Sequence, residues 1–235
     1  MTHQAIIVIV TTWICQLLRK KSLSDLMGVV NLSWIKRLLQ GFVIGFALMI
    51  IPSLFLMAFG FVRWQITTTG ISGILSVTLV FVAVAVAEEM LFRGFIFQRL
   101  ITGFGQWPAQ LIIGVLFLLT HMNNPGMTGS IKVFASINIF LASIMFGLSY
   151  IRTQSLAMPI GLHFMANWTQ GVLLGFGVSG NEEASLLKPV FSNSPGWLTG
   201  GSFGLEASVP GLVCVIITII LFYKRNASLN KSVDD

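Results

Sequence analysis

The stretch VAVAEEMLFR, residues 84–93, decides how the rest of the chain is interpreted, because it places Glu88, Glu89 and Arg93 inside an apolar helix. An ionisable group inside a membrane costs about 2.5–3.5 kcal/mol, so a chain keeps few of them. Glu89 and Arg93 are four residues apart and share one side of the helix, which predicts an ion pair. Glu88 lies about 100° away around the helix and has no basic residue three or four positions away. We therefore interpret Glu88 as a candidate general base.

The composition excludes an ordinary soluble protein. The chain has 235 residues, of which 55% are hydrophobic and only 9% are charged, whereas a soluble domain carries about 25% charged residues. This hydrophobicity also excludes intrinsic disorder. The net charge of +6 fits basic residues that anchor cytoplasmic loops, so nucleic-acid binding is not expected. Cys15 and Cys214 lie in apolar segments and provide neither a disulfide framework nor a CxxC pair.

Apolar segments follow one another along most of the chain, and about 20 such residues cross a bilayer. We predict an all-α fold, a polytopic integral membrane helical bundle of about seven transmembrane helices. It forms one domain over residues 1–235, with the motif-bearing core at about residues 71–176. The predicted helices cover residues 4–18, 37–61, 71–101, 108–122, 131–151, 154–176 and 208–224. Residues 103–108 are a predicted turn, and residues 177–208 a predicted extracytoplasmic loop or re-entrant lid.

Basic residues are distributed unevenly between the two predicted membrane sides. The first helix is followed by Arg19, Lys20 and Lys21, which predicts that its N-terminus lies outside and its C-terminus in the cytoplasm. Threading the helices from there assigns 11 Lys and Arg residues to the inside and 3 to the outside. This agrees with the positive-inside rule. We therefore expect a bacterial cytoplasmic membrane, with the N-terminus outside and the C-terminus cytoplasmic.

Histidines interrupt two further predicted membrane helices. Glu88 and His121 lie about 16 residues on either side of the middle of the turn at 103–108, so antiparallel helices carry them to a similar depth. His163 and Asn167 share one helix face, and His163 lies about 15 Å along its helix. A lone membrane histidine usually forms an interhelical hydrogen bond. Two histidines at the depth of an unpaired glutamate favour a catalytic site instead.

The order Glu-Glu-x-x-x-Arg, Phe-x-x-x-His and His-x-x-x-Asn, on separate membrane helices, resembles one family. It is similar to the CPBP intramembrane proteases, also called the CAAX-protease, bacteriocin-processing or Abi family. The matching residues are Glu88, Glu89, Arg93, Phe117, His121, His163 and Asn167. The resemblance covers about residues 77–167, and residues 200–206 resemble a glycine-rich segment of some bacterial members. It implies a helical membrane fold with a cavity inside the bilayer, and hydrolysis of a peptide bond.

The resemblance also implies roles for these residues. Glu88 and His121 would activate water, and His163 and Asn167 would hold the tetrahedral intermediate. The supporting residues would be Glu89, Arg93 and Phe117. The implied substrate is a membrane-associated peptide or protein, either a prenylated CAAX tail or a bacteriocin or signal-peptide precursor.

The sequence leaves two alternatives: a metal-bound site in place of a metal-free one, and a non-enzymatic function in place of catalysis. Glu88, His121 and His163 could instead bind zinc, with water as the fourth ligand. The sequence has no HExxH helix, and Glu89 is expected to pair with Arg93, so we favour a metal-free glutamate mechanism. The alternative functions are a non-catalytic membrane scaffold or immunity protein that binds a peptide or membrane partner, and a transporter with a proton relay. The intact motifs disfavour the scaffold, and the lack of an internal repeat disfavours the transporter.

Overall fold

The fold is a bundle of helices with one small sheet. The computed structural model describes the backbone of residues 2–234 and the side chains of residues 5–225. The α-helices are α1 (Thr2–Leu18), α2 (Ser24–Met27), α3 (Leu32–Ala58), α4 (Ile71–Glu89), α5 (Gln98–Phe104), α6 (Gln106–His121), α7 (Gly129–Thr153), α8 (Ala157–Asn167), α9 (Gly196–Thr199) and α10 (Val209–Asp234). The π-helix Met90–Phe97 joins α4 to α5, and the π-helix Trp168–Leu173 extends α8. A 3-10 turn at Leu205–Ala207 precedes α10.

Three helical stretches of the described chain are long and apolar enough to cross a membrane: Leu32–Ala58, Ile71–Phe104 and Gly129–Thr153. Two shorter apolar helical stretches are Ala5–Leu18 and Gln106–His121. Large hydrophobic side chains on several of these helices are exposed, as a lipid-facing surface requires. A helical membrane fold is therefore supported, whereas the number of seven spans stays a prediction.

Three predicted helix boundaries need correction, the first being that α10 ends at Asp234 and not at the predicted residue 224. α3 begins at Leu32, five residues before the predicted start, because the side chain of Asn31 accepts a hydrogen bond from the backbone N–H of Trp34 and caps the helix. The turn predicted at residues 103–108 shrinks to Gly105 alone, since α5 ends at Phe104 and α6 begins at Gln106. Pro108 fits inside the first turn of α6, where no N–H is needed for the helix.

A two-stranded sheet shows that the all-α prediction is wrong in one part of the chain. Strand β1 (Val62–Ile66) pairs antiparallel with strand β2 (Leu187–Phe191), with Val62 opposite Phe191 and Ile66 opposite Leu187. β2 lies inside the segment that was predicted as a loop. Its pairing partner is more than 120 residues away in the chain, and five-residue strands carry too little periodicity to be recognised alone.

The segment 177–208 is packed rather than loose. Phe203 and Leu205 are fully buried, and the N–H of Gly180 donates to the carbonyl oxygen of Phe203. Gly204 has a φ of +108°, and a Cβ at this position would collide with the carbonyl oxygen of Gly177. These contacts join the beginning of the segment to its glycine-rich end, and we call residues 177–208 the roof segment.

Close backbone packing between α3 and α8 positions the helix that carries His163 and Asn167. A Cβ on Gly45 would collide with the carbonyl oxygen of Leu162 and lie 2.9 Å from the backbone nitrogen of Ala166. Gly41 approaches the backbone of α8 in the same way, one turn earlier. Gly41 and Gly45 form a GxxxG pattern, which allows close helix approach in membranes and is the sequence signal for this contact.

Candidate active site

The four catalytic candidates line one cavity of about 510 Å³. Glu88 enters its lining from α4, His121 from α6, and both His163 and Asn167 from α8. The supporting residue Phe117 also lines this cavity. Residues that are 79 positions apart in the chain thus face a common space, because the helices that carry them pack side by side.

Glu89 and Arg93 form the ion pair that their spacing predicts. Nη1 of Arg93 lies 3.0 Å from Oε1 of Glu89, and both side chains are fully buried. Nη2 of Arg93 also donates to the hydroxyl of Ser143 at 2.9 Å and to its carbonyl oxygen at 3.3 Å. The arginine therefore ties the π-helix Met90–Phe97 to α7. Ser143 was not a sequence candidate, since nothing in its neighbourhood indicates a polar role.

Glu89 has a second partner that the sequence does not reveal. Its Oε1 atom lies 3.0 Å from Nδ1 of His163. With Arg93 paired to the same oxygen, Glu89 is a carboxylate and can only accept hydrogen bonds. Nδ1 of His163 therefore carries the hydrogen, and the ring orientation is held by a carboxylate that is itself held by an arginine. Glu89 thus does more than neutralise Arg93.

Glu88 and His163 both line the cavity and lie close to each other. The Oε2 atom of Glu88 lies 3.9 Å from Nε2 of His163, and this oxygen is buried with no hydrogen-bond partner among the described residues. The equal distance of Glu88 and His121 from the turn at residues 103–108 predicts that His121 lies beside Glu88. Within the described chain, however, no ion pair joins these two residues. Spacing along helices predicts depth, whereas rotation about the helix axis depends on packing, and packing places Glu88 beside His163.

His121 is oriented by its own helix. Nδ1 lies 2.7 Å from the carbonyl oxygen of Phe117 and 3.1 Å from the hydroxyl of Thr120. Because a carbonyl oxygen only accepts, Nδ1 of His121 carries the hydrogen in the neutral ring. Nε2 then carries the lone pair of the neutral ring.

Two aromatic rings pack around the charged network. The guanidinium of Arg93 lies 4.6 Å from the ring centre of Phe117 and 4.8 Å from that of Phe146. Phe146 also stacks on the His163 ring at 5.1 Å, and Phe117 contacts the His121 ring at 4.6 Å. Cation–π contact of this kind stabilises a buried guanidinium. It also gives the family-motif residue Phe117 a physical role, whereas Phe146 was not predicted from the sequence.

The roof segment contributes a further carboxylate to the cavity lining, Glu206. Its Oε1 accepts from the side-chain nitrogen of Gln170 at 2.9 Å and from the backbone N–H of Ser179 at 3.1 Å. Its Oε2 accepts from the Ser179 hydroxyl at 3.0 Å. Through Gln170, Glu206 therefore joins the roof segment to the π-helix Trp168–Leu173. The glycine-rich stretch 200–206 was the available signal for this contact.

The zinc alternative requires Glu88, His121 and His163 to lie close enough together to bind one ion. Within the described residues, no three His, Cys, Asp or Glu side chains are grouped closely enough to hold a metal ion. Glu88, His121 and His163 line one cavity but do not form such a group. The choice between a glutamate mechanism and a zinc mechanism stays a prediction, and no chemical step is assigned to a metal.

One family model matches part of the chain. The family model described as "Type II CAAX prenyl endopeptidase Rce1-like" matches residues 69–169. This stretch contains all seven motif residues and ends before the roof segment. No curated protein matches the chain. The match covers less than half of the chain and shows that residues 69–169 are similar to this family.

Proposed function

We propose that this chain, which the Rce1-like match supports as a CPBP-family protease, is an intramembrane endopeptidase of the glutamate type. It would hydrolyse a peptide bond in a membrane-associated peptide or protein, either a CAAX-type tail or a bacteriocin or signal-peptide precursor. The observation that carries this proposal is the single cavity lined by Glu88, His121, His163 and Asn167.

Glu88 and His121 are the groups that activate water in this proposal. The unpaired Oε2 of Glu88 can accept a proton from a water molecule, and the free lone pair on Nε2 of His121 can align the same water. The hydroxide oxygen forms a bond to the scissile carbonyl carbon. Glu88 then gives the proton to the amide nitrogen as the C–N bond breaks, which releases a carboxylic acid and an amine. Proton transfer by positioned groups contributes about 10²–10⁴-fold to a rate.

His163 and Asn167 are the proposed donors to the oxyanion. Since Nδ1 of His163 already carries a hydrogen for Glu89, Nε2 donates only when the ring is an imidazolium. The imidazolium with Arg93 balances the carboxylates of Glu88 and Glu89, so the cluster has no net charge in a medium that disfavours ions. The side-chain NH₂ of Asn167 supplies a neutral donor. One such donor is worth about 2.7–4 kcal/mol in the transition state.

The experiment compares the membrane and secreted peptides of four strains: wild type, gene deletion, Glu88→Gln and Glu182→Gln. Glu88→Gln keeps the side-chain size but removes the base, and Glu182→Gln removes an exposed carboxylate as the matched control. We expect the same uncut peptides to accumulate in the deletion and in Glu88→Gln, and none in Glu182→Gln. If Glu88→Gln matches wild type while the deletion differs, the protein acts as a non-catalytic scaffold.

Two further measurements address the cofactor and the substrate. We expect purified protein without stoichiometric zinc and activity that survives chelation. Stoichiometric zinc together with chelator-sensitive activity would overturn the metal-free mechanism. Cleavage of matched prenylated and unprenylated peptides by the purified enzyme would then identify the substrate class.

The proposed orientation places the N-terminus outside and the C-terminus in the cytoplasm of a bacterial membrane. The support is the excess of Lys and Arg on one predicted side. Protease protection of terminal epitope tags in inside-out and right-side-out vesicles tests it. A C-terminal tag cleaved only in right-side-out vesicles would contradict this orientation.

A further inference from the structure

A second cavity lies away from the charged cluster and differs from it in chemistry. Its volume is about 540 Å³, and its described lining contains Lys36, Arg152 and Arg225 but no acidic residue. These three residues come from the start of α3, the end of α7 and the second half of α10. All three belong to the predicted cytoplasmic side. We call this cavity the basic groove.

The basic groove brings three cationic side chains together, with no acidic side chain in its described lining. Arg225 lies close enough to Arg152 for the two charges to act on each other. Nη1 of Arg152 is buried and has no hydrogen-bond partner among the described residues. A buried, unpaired donor on a charged group is unfavourable, and a bound anion with several acceptor oxygens would satisfy it. Phosphate matches a guanidinium in this way because two parallel hydrogen bonds can form.

The remaining lining of the basic groove is mostly apolar and reaches the outside of the bundle. Leu39 and Val43 line the groove and are 52% and 69% exposed. Ile44, Met158 and Phe222 complete the apolar lining. An anion that is fully water-soluble gains nothing from such a wall, whereas a molecule with a charged head and a hydrocarbon tail gains from both parts of the groove.

We infer that the basic groove binds the phosphate headgroup of an anionic phospholipid from the cytoplasmic leaflet, with an acyl chain along Leu39 and Val43. Anionic lipids are present in the cytoplasmic leaflet, and basic pockets between helices on that side bind their headgroups. The groove continues along the helices that line the catalytic cavity: Ile44 of the groove and Leu48 of the cavity are one turn apart on α3. A lipid bound here would hold α3, α7 and α10 together one turn from that cavity.

The test uses the purified full-length protein and native mass spectrometry, with phosphatidylglycerol and phosphatidylcholine of identical acyl chains. We expect wild type to retain phosphatidylglycerol in preference to phosphatidylcholine. The double variant Arg152→Gln/Arg225→Gln should lose this retention by about tenfold, since each basic residue near a membrane surface attracts anionic lipid. The matched control is Arg63→Gln/Lys188→Gln, which removes two exposed charges from the β1–β2 sheet and should retain the lipid like wild type.

Three outcomes would overturn the inference. Equal retention of the two lipids by wild type shows that the groove does not select an anionic headgroup, and this outcome needs no variant. If the two double variants lose the retention of phosphatidylglycerol equally, the effect comes from the net charge of the protein and not from the groove. If excess inorganic phosphate displaces phosphatidylglycerol, and if retention does not depend on acyl-chain length, the groove binds free phosphate and not a lipid. If the glutamine variant fails to fold, Arg152→Lys/Arg225→Lys replaces it and should keep the preference for phosphatidylglycerol.

Discussion

Nδ1 of His163 lies 3.0 Å from Oε1 of Glu89, and the same oxygen accepts from Arg93. The second glutamate of the pair therefore orients the histidine of another helix, while the first glutamate faces that histidine at 3.9 Å. Two adjacent carboxylates in one sequence thus have different surroundings. Oε1 of Glu89 accepts from both Arg93 and His163, whereas neither oxygen of Glu88 has a hydrogen bond among the described residues, although Oε2 is buried in both side chains. This difference is what makes Glu88, rather than Glu89, the candidate base.

Removing the Asn167 amide should slow catalysis without unfolding the protein. If its NH₂ stabilises the oxyanion, Asn167→Ala should lower kcat by about 10²–10³-fold, the usual cost of one oxyanion donor. The assay is peptide cleavage by purified enzyme under saturating substrate. Asn123→Ala, at an exposed asparagine outside the cavity lining, is the control and should keep wild-type kcat. A normal kcat in Asn167→Ala would exclude this residue from the mechanism.

Breaking the buried ion pair should cost more stability than replacing it. Arg93→Met leaves the carboxylate of Glu89 buried without its main cation, and breaking such a pair costs about 3–5 kcal/mol. Glu89→Gln/Arg93→Met removes both charges and should be the more stable of the two variants, as measured by thermal unfolding in detergent. If Arg93→Met unfolds at the same temperature as wild type, the ion pair contributes little to stability.

Glu89 should also act on turnover through His163. Glu89→Gln keeps the size of the side chain but loses the charge that holds the histidine ring. We expect kcat to fall with KM nearly unchanged, because the ring is misoriented while the rest of the cavity keeps its shape. A rise in KM with unchanged kcat would instead indicate that Glu89 shapes substrate binding.

A methyl group at Gly45 should separate α3 from α8. Gly45→Ala places a Cβ against the backbone of Leu162 and Ala166, which cannot move aside as a side chain can. Overpacking of this kind costs about 1–3 kcal/mol. Gly103→Ala is the matched control, since a Cβ there meets no other atom within 4 Å, and it should be neutral or slightly stabilising. Equal thermal stability of the two variants would contradict the close helix contact.

Loss of the Glu206 charge should loosen the roof segment. Glu206→Gln weakens the hydrogen bonds from Gln170 and Ser179, and bonds to a charged group contribute about 1.5–3 kcal/mol each. We expect faster hydrogen exchange confined to the roof segment and a higher KM for the substrate. Glu182→Gln changes an exposed carboxylate of the same segment and should leave both quantities unchanged.

The amino-acid sequence alone is enough to predict the membrane class, the positions of most helices, the Glu89–Arg93 pair and the four catalytic candidates that line the cavity. These features follow from local patterns, since hydropathy and helical spacing depend on residues close together in the chain. The tertiary structure decided that Glu89 bonds His163, that Ser143 and Phe146 support the network, and that β1 pairs with β2. These contacts join residues from 50 to about 130 positions apart. They depend on the rotation of each helix about its axis and on backbone approach at Gly45, which packing determines and a one-dimensional pattern does not encode.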